Sequence, residues 1–499
     1  MKIAFINDSS QQLGIQYMSA VLKQHGHEVK LFMDPQLFAD DVIQINSLGK
    51  LFNYENKIVK DVKEFSPDLI GISIVTDFYQ WACNIAQKIK AEIDTPIIVG
   101  GIHPTSVPDR VMNNKNFDML CIGEGEFAML ELANSLEKGA IDYSIKNIWF
   151  RKGEEIIRNE VRPLISDLDA LPMPDTDLYY SASPHFNRTG LYITMTSRGC
   201  SNACSYCCHS YLHELYKGKG PTVRQRSVNS VIEELDLNTN KHKIKFIAFM
   251  DNCFGYDLNW LKEFAREYKE KIGIKFWCIM HPNDVTEESV HYLKEAGCHT
   301  VDMGVQSWNE DLRKNILFRN IDNQTMENAI QLIKDANIEI MTDSIFDLPN
   351  QTDEDILKSA EKYIEIKPKR IYFYMLRHYP NTKMTRMAYD NNWLSKDRYE
   401  EVMDAHNVTS FSVGGDNVSK KLIKYQILFY LIDLLPKDIS RFILKKKLYK
   451  YFPSFIGPAL VVILRNLLAF DMNARLQRAW TINRYFHFTV KKTFNLKDK

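Results

Sequence analysis

The chain has 499 residues, of which 45% are hydrophobic and 25% are charged, the ordinary balance of a globular protein. This length predicts two to four domains. The opening residues, MKIAFIND, lack the basic start, apolar run and cleavage site of a signal peptide. Together these features argue against a disulfide-rich secreted protein and predict a cytoplasmic one, since disulfides are rare in reducing compartments.

The charge is balanced overall but divided unevenly along the chain. The sequence has 63 basic and 63 acidic residues, yet the segment from Lys420 to the end has 17 basic and only 4 acidic ones. The preceding residues therefore carry a net charge of about −13, and the last segment about +13. Such asymmetry indicates an anionic surface or partner for the basic part.

Residues 1–140 alternate short apolar runs with amphipathic stretches. Strands are predicted at residues 2–7, 28–33, 68–74, 96–101 and 119–123. Because helical patterns separate them, we expect a doubly wound, Rossmann-like α/β domain with a buried parallel sheet.

Ligands of such domains bind beyond the carboxyl ends of the strands. The residues predicted at this edge are Ser73, Thr76, Gly100, Gly101, Gly123 and Glu124. Glycines would let the backbone approach a flat ligand closely, although they would equally serve tight turns. The first strand is not followed by G-x-G-x-x-G, which disfavours a dinucleotide.

The rest of the chain divides into three parts. Residues 141–188 are acidic and proline-punctuated and predict an ordered linker. Residues 189–405 predict six strand–helix units and thus a partial (β/α)6 barrel, whose chemistry would gather at the carboxyl ends of the strands. Its strands are predicted at residues 191–197, 245–251, 275–280, 300–305, 338–346 and 370–376.

Residues 406–499 predict a basic helical domain. Its most apolar stretch, residues 452–470, contains Pro453, Pro458 and Arg465, and the uninterrupted run is too short to cross a bilayer. Two interpretations remain open: a buried helical domain and a helix lying in a membrane surface.

Four cysteines fall within the stretch TSRGCSNACSYCCHS. Cys200, Cys204 and Cys207 are spaced C-x-x-x-C-x-x-C, and Cys208 follows directly. The five other cysteines, Cys253 among them, are scattered and are predicted to be small buried hydrophobic residues. Tight spacing in a cytoplasmic chain favours metal over disulfides. A zinc site completed by His209 or His213 is the structural alternative, but four ligands close a zinc site whereas three thiolates leave a position open.

The stretch Ser197–Cys207, including Tyr206 before its last cysteine, resembles the signature loop of the radical S-adenosylmethionine (SAM) superfamily. The resemblance implies that Cys200, Cys204 and Cys207 hold a [4Fe–4S] cluster whose open iron binds SAM and cleaves it to methionine and a 5′-deoxyadenosyl radical. It also implies SAM contacts from Tyr206, from Asp251 after the second barrel strand, and from Gln306 and Ser307. The last two belong to a Gly-Val-Gln-Ser stretch that is similar to the superfamily's Gly-Val-Glu-Ser.

A glycine-edged doubly wound domain before such a barrel resembles the cobalamin-binding branch of this superfamily, which includes methyltransferases and an anaerobic cyclase. The resemblance implies that the glycine-rich edge and Ser73, Thr76 and Glu124 contact cobalamin. The loop Asp8–Gly14 has no histidine where related cobalamin domains have one. We therefore expect that no histidine of this loop coordinates the cobalt of cobalamin.

The resemblance implies three alternative functions: a cobalamin-dependent radical SAM methyltransferase, a cyclase or oxidative rearrangement enzyme, and a cluster- or cobalamin-based redox or light sensor. The expected partners are a small-molecule substrate and an external electron donor such as flavodoxin or ferredoxin. The basic tail has no nucleic-acid-binding motif. It favours a hydrophobic or membrane-presented substrate such as a lipid, polyprenyl or tetrapyrrole, with peripheral membrane contact; the alternative is a solvated helical cap.

Overall fold

The fold contains two sheets and a helical region that follows the second. The computed structural model describes residues 1–39, 43, 45–406, 419–455, 457–469 and 471–493. The seven strands of the first sheet are β1 (Lys2–Asn7), β2 (Glu28–Met33), β3 (Leu69–Ser73), β4 (Ile97–Gly100), β5 (Met119–Cys121), β6 (Ile148–Lys152) and β7 (Glu155–Ile157).

The helices around the first sheet, and those that lead to the second, are α1 (Leu13–Gln24), α2 (Asn46–Leu51), α3 (Glu55–Phe65), α4 (Tyr79–Lys90), α5 (Ile102–Ser106), α6 (Pro108–Met112), α7 (Glu126–Glu137), α8 (Thr176–Ala182) and α9 (His185–Thr189). The sheet order is β2-β1-β3-β4-β5-β6-β7, and the first five strands are parallel. All five predicted strands of the doubly wound domain are thus confirmed, and their carboxyl ends share one edge.

The first sheet continues into the segment predicted to be a linker. Strands β6 and β7 add to β5 as antiparallel neighbours. Ile148 and Phe150 are fully buried against the sheet's core, while Gly153 turns the chain between the two strands with a φ of +62°. The prediction missed this hairpin because its two strands are only five and three residues long. Helices α8 and α9 occupy the end of the same segment.

The second sheet has six parallel strands in the order β15-β14-β13-β12-β11-β8. Its strands, with the small ribbon β9–β10, are β8 (Leu191–Thr194), β9 (Ser197–Arg198), β10 (Arg224–Gln225), β11 (Phe246–Phe249), β12 (Phe276–Met280), β13 (Cys298–Gln306), β14 (Glu339–Phe346) and β15 (Arg370–Met375). All six predicted strands are present, and the sequential order is that of a partial barrel.

The helices of the barrel region are α10 (His209–Leu215), α11 (Val228–Lys241), α12 (Leu258–Lys271), α13 (Glu287–Ala296), α14 (Glu310–Asn315), α15 (Asn323–Asp335), α16 (Asp353–Ile366), α17 (Lys383–Asp390) and α18 (Lys396–Met403). The longer ones, α11, α12, α13, α15 and α16, pack against the outer face of the barrel. Alternate strand residues, such as Val301 and Met303 of β13, face these helices and are fully buried. Their neighbours, Thr300 and Asp302, face the lumen, because side chains alternate along a strand.

The described part of the basic tail forms four helices, as predicted. They are α19 (Lys420–Leu434), α20 (Lys437–Lys445), α21 (Pro458–Leu468) and α22 (Met472–Thr493). Among the described residues no helix is long and apolar enough to cross a membrane.

Arg465 explains why a charge interrupts the apolar stretch of α21. Its guanidinium is buried, donates a hydrogen bond to the Ile371 carbonyl at 2.8 Å, forms an ion pair with Asp433 and lies 4.3 Å from the Tyr430 ring centre. The side chain therefore attaches α21 to both β15 and α19.

We predict that Arg465→Met lowers the thermal unfolding midpoint markedly. Removing one member of a buried ion pair costs about 3–5 kcal/mol, because it leaves the other charge, here the Asp433 carboxylate, buried without its counter-ion. Arg441→Met is the matched control, since Arg441 is exposed and its contact with Asp438 lies within one turn of α20. Equal midpoints for the two variants, followed by circular dichroism, would contradict the docking role.

Candidate functional site

The cysteine loop leaves the carboxyl end of β8 through the short strand β9 and enters α10. Cys204 is buried, and Cys200 and Cys207 are partly buried. The loop begins at Gly199, whose φ is +94°. A Cβ on this residue would stand 1.8 Å from the Thr222 carbonyl oxygen, so only glycine fits where the loop starts.

Ser205 anchors the loop between the second and third cysteines. Its backbone N–H donates to the Leu317 carbonyl at 3.0 Å, its hydroxyl donates to the Ile316 carbonyl at 2.6 Å, and its own carbonyl accepts from the Met384 N–H at 2.8 Å. The Tyr206 ring beside it packs against an apolar cluster that includes Leu317 and Met384. In this structure Tyr206 is a packing residue of the loop, and its predicted contact with SAM stays a prediction.

A buried cation faces the thiols. One Nη of Arg319 lies 3.9 Å from the Cys204 Sγ, and the other donates to the Gly304 carbonyl at 2.8 Å. Burial raises the pKa of the Cys204 thiol, and the nearby guanidinium opposes this rise. A fixed positive charge at this distance favours thiolates, and a thiolate is the form that binds metal.

The two histidines of the zinc alternative are already hydrogen-bonded. The His213 Nε2 lies 2.8 Å from the Cys200 carbonyl oxygen, and the buried His209 hydrogen-bonds Asn252. Within the described ranges, no three His, Cys, Asp or Glu side chains converge to hold one metal ion. Mononuclear zinc needs such convergence, whereas a four-iron cluster spreads its ligands over separate iron atoms. The donor set therefore fits the cluster better.

The loop after β11 supports the cysteine loop from the side. Asp251 is fully buried and accepts hydrogen bonds from the Thr196 N–H, the Thr196 hydroxyl and the Ser197 hydroxyl, the last at 2.5 Å. Asn252 donates to the Gly199 carbonyl at 3.1 Å. The Asp251 carboxylate thus holds the entry to the loop, and the expected contact with the SAM amino group stays a prediction.

Gln306 and Ser307 lie at the carboxyl end of β13 and are buried. Gln306 has a φ of +64°, which folds its amide over Gly304; a Cβ on Gly304 would stand 2.4 Å from that amide nitrogen. Because Arg319 also binds Gly304, the fold brings Gln306 to the side of the barrel that faces the cysteine loop. Ser307 instead accepts from the Asn309 N–H at 3.2 Å and caps the turn into α14.

A cavity of about 330 Å³ lies between the carboxyl edge of the first sheet and the barrel. Its sheet side has a narrow slot lined by small and apolar residues, including Phe5, Gly71, Ile98, Gly125 and Met129. Its barrel side comprises Met195, Ser197, Arg198, Gly199, Met250 and Asn252. A glycine-lined slot of this kind suits the flat aromatic base of a cobalamin nucleotide tail, with polar groups at its mouth.

Five of the six predicted cobalamin-binding residues line this cavity. They are Ser73, Gly100, Gly101, Gly123 and Glu124. Thr76 does not line it: its hydroxyl lies 3.3 Å from Nδ1 of the buried His103, whose pKa burial lowers to about 4. The structure therefore turns this histidine away from the cavity and keeps it neutral.

Two of the glycines are required by the protein itself. A Cβ on Gly101, whose φ is +100°, would stand 2.6 Å from the Ile74 carbonyl oxygen, and one on Gly123 would stand 1.6 Å from the Tyr216 hydroxyl. Both glycines therefore serve tight backbone geometry, which was the alternative interpretation. They line the cavity as well.

Ion pairs join the two domains where the cysteine loop begins. Arg198 binds Glu124 at 3.2 Å and Glu126 at 2.7 Å, and its guanidinium lies 4.9 Å from the Tyr17 ring centre. Arg224 also binds Glu124, at 2.7 Å. Glu124 therefore lines the cavity with its carboxylate already paired to two arginines, so its main contact is with the barrel.

A second cavity, of about 370 Å³, lies in the barrel lumen. Its walls are mostly apolar and include Ile193, Phe246, Trp277, Met341 and, from α22, Leu476 and Trp480. Met250 lines both cavities. The lining also includes Leu191, Phe246, Thr300 and Glu339, so this cavity reaches the amino-terminal ends of the barrel strands.

Two sequence-family models match the chain. Residues 6–133 match the B12 binding domain and residues 194–363 match the radical SAM superfamily. The chain is 27% identical over 455 residues to an uncharacterized methyltransferase of Pyrococcus horikoshii, covering 88% of this chain and 93% of that protein.

It is also 21% identical to the anaerobic magnesium-protoporphyrin IX monomethyl ester cyclase of Cereibacter sphaeroides, over 88% of this chain and 68% of the cyclase. Among solved structures, the cobalamin-dependent SAM radical enzyme OxsB, with aqua-cobalamin and SAM bound, superposes with a TM-score of 0.66 at 16% identity. That match covers all of this chain and 82% of OxsB. It confirms the order of a cobalamin-type domain, a partial barrel and a following helical region.

Three residues of the site were missed by sequence reasoning: Arg198, Ser205 and Arg319. Arg198 and Ser205 stand within the signature stretch but are not among its cysteines, and their partners lie far along the chain. Arg319 follows α14 and reaches the thiols only because β13 and the cysteine loop meet at the top of the barrel.

We predict that Cys200→Ala, Cys204→Ala and Cys207→Ala each abolish cluster assembly, because each removes one of three thiolate ligands. Cys208→Ala is the control from the same loop and should keep its iron, since Cys208 lies outside the open-site spacing. Iron and sulfide content after anaerobic reconstitution measure the outcome. Retained brown colour and iron in the Cys204 variant would contradict the assignment.

Proposed function

Because the chain belongs to the radical SAM superfamily and carries a B12 binding domain, we propose that it methylates an unactivated carbon of a hydrophobic substrate. One observation carries this proposal: residues 197–199, which lead into the cluster cysteines, also form a wall of the interdomain cavity. The cofactors would be a [4Fe–4S] cluster, SAM and cobalamin.

When bound, the cluster would supply the electron that cleaves SAM to the 5′-deoxyadenosyl radical, and cobalamin would supply a transferable methyl group. The chain's residues hold and separate the reactants. Cys200, Cys204 and Cys207 would bind the cluster. Arg319 supplies a fixed positive charge beside it, and Arg198 fixes the distance between the loop and the interdomain cavity. An external donor such as flavodoxin or ferredoxin would deliver the electron.

The lumen cavity supports a hydrophobic substrate. Its lining is mainly apolar, and α22 contributes one face of that lining, including Met472, Leu476 and Trp480. A radical intermediate needs a site from which water and thiols are kept away, and an apolar wall provides this. The volume of about 370 Å³ lies near the lower end of ligand sites, so a lipid or polyprenyl segment would fit and a tetrapyrrole would enter only in part.

The second candidate function is cyclisation or oxidative rearrangement without methyl transfer, which the similarity to the anaerobic cyclase favours. A redox or light sensor is the third alternative. A largely apolar cavity in the barrel lumen favours an enzyme over a sensor, because a sensor needs no substrate space there.

Product analysis with the reconstituted protein separates these functions. We expect that native protein, incubated anaerobically with SAM, a reductant and a lipid extract, forms both 5′-deoxyadenosine and S-adenosylhomocysteine and adds 14 mass units to a substrate. Methyl transfer consumes one SAM as methyl donor and one as oxidant, so the two nucleoside products should accumulate together. Deoxyadenosine without S-adenosylhomocysteine would favour the cyclase. The absence of both products would refute both enzymatic functions. The Cys204→Ala variant is the control.

We also propose that the tail contacts an anionic membrane. Helix α21 exposes Leu460, Leu464, Leu467 and Leu468, whose spacing places them on one face. Tyr451 and Phe455, in the preceding segment, are 85% and 88% exposed. Contiguous exposed apolar residues of this kind mark interaction surfaces in soluble proteins.

Basic residues accompany the apolar face. Helix α20 ends at Lys445 and is followed directly by Lys446 and Lys447. The helix itself exposes Ile439 and Phe442. Apolar insertion and attraction of about 1 kcal/mol per basic residue at the surface would add together. Peripheral contact would also give a hydrophobic substrate a route to the lumen, because α21 leads directly into α22.

We expect the protein to sediment with vesicles containing anionic lipid more than with neutral vesicles. Salt should weaken the former, since the Debye length is only about 8 Å at physiological ionic strength. Replacing Lys445, Lys446 and Lys447 with glutamine should reduce the difference in sedimentation between anionic and neutral vesicles. The double variant Leu467→Ser, Leu468→Ser should reduce binding to both kinds of vesicle. Equal recovery in the supernatant for native protein and all variants would mean that the tail is a solvated helical cap.

A further inference from the structure

A thiol outside the signature motif lies beside the cluster cysteines. The loop after β11 runs along the cysteine loop, and Asp251–Asn252 hydrogen-bond residues 196–199. The next residue of each loop is a cysteine. The Cys253 thiol accordingly lies beside the Cys200 thiol. The alignment of the two loops thus places a fourth cysteine next to the first cluster ligand.

The backbone on either side holds Cys253 in this position. Asp251 before it is fully buried, and so is Phe254 after it, whose N–H donates to the Ile279 carbonyl at 2.8 Å. Cys253 itself is only partly buried, contrary to the prediction that it is a small buried hydrophobic residue. Cys278 and Cys298, whose Sγ atoms lie 3.9 Å apart in the barrel core, are buried as predicted.

Cys253 shares its charged neighbours with the cysteine loop. Arg319, which contacts the Cys204 thiol, also faces Cys253, and so does Asp284 from the loop after β12. Cys208, the other additional thiol, hydrogen-bonds its neighbour Cys207 at the start of α10. Cys253 approaches from a different strand, on the side where Arg319 and Gln306 meet over Gly304.

We propose that in the SAM-free protein the Cys253 thiolate binds the iron that Cys200, Cys204 and Cys207 leave open. This inference rests on the proposed function, since it presupposes a four-iron cluster. The Cys253 thiol loses a proton to solvent as its sulfur–iron bond forms. SAM breaks that bond when its amino and carboxylate groups take the position, and the thiolate is reprotonated. No oxidation state changes in the exchange, and the open iron is shielded from loss until SAM arrives.

Mössbauer spectroscopy of 57Fe-reconstituted protein, recorded without SAM, tests the proposal directly. For native protein we expect four irons with thiolate-type parameters, and a distinct fourth component only after SAM is added. For Cys253→Ala that component should be present before SAM is added, and brief exposure to ferricyanide should convert the cluster to the three-iron form faster than in native protein. Cys83→Ala, which removes a partly buried thiol of the first domain, should behave as native.

Identical SAM-free spectra for native protein and Cys253→Ala would overturn the proposal. Loss of all iron in both Cys253→Ala and Cys253→Ser would also overturn it, because Cys253 would then be a permanent ligand. A native protein that assembles no four-iron cluster under these conditions would instead refute the proposed function. The two failures are therefore distinguishable.

Discussion

The paired contact of Arg198 with Glu124 and Glu126 is the interaction on which the arrangement of the site depends. Its donor directly precedes the glycine that opens the cysteine loop, and its acceptors follow the last parallel strand of the first sheet. All three side chains are largely buried, so their attraction is only weakly screened. Breaking such a pair from one side costs roughly 3–5 kcal/mol. The ion pair therefore fixes how far the cluster loop lies from the interdomain cavity.

That distance matters because Ser197, Arg198 and Gly199, which lead into the cysteines, line the interdomain cavity, and Met250 lines both cavities. Radical chemistry depends on holding reacting centres close together while excluding water. The buried Asp251, bound to Thr196 and Ser197, serves the same purpose on the barrel side. Together these contacts make the start of the cysteine loop a shared wall of both domains.

The tail completes the barrel and also extends its surface. One face of α22 lines the lumen, while α21 is attached by Arg465 and exposes a row of leucines. The same helical region thus lines the lumen cavity and presents an apolar, basic surface. Neither a wholly buried domain nor a helix lying entirely in a membrane describes it, since Arg465 is buried and the leucines are not.

Local sequence was sufficient for the elements that are both long and periodic. The predicted parallel strands of both sheets were correct because buried strands are continuous apolar runs. The assignment of Cys200, Cys204 and Cys207 to a cluster, which the resemblance of their loop implies, stays a prediction. The hairpin β6–β7 was missed because its two strands are short. Thr76 was misplaced at the cavity because sequence position after a strand does not say which way a side chain turns.

The sequence by itself determined the two α/β domains, their order and the chemistry of the cysteine loop, because each is encoded in neighbouring residues. Only the tertiary structure decided which distant groups meet. Arg198 finds Glu124 and Glu126, Arg319 reaches Cys204, and Cys253 comes to lie beside Cys200. These contacts join residues separated by about fifty to more than one hundred positions. Their formation depends on strand order and on how the two sheets pack, which no local pattern specifies.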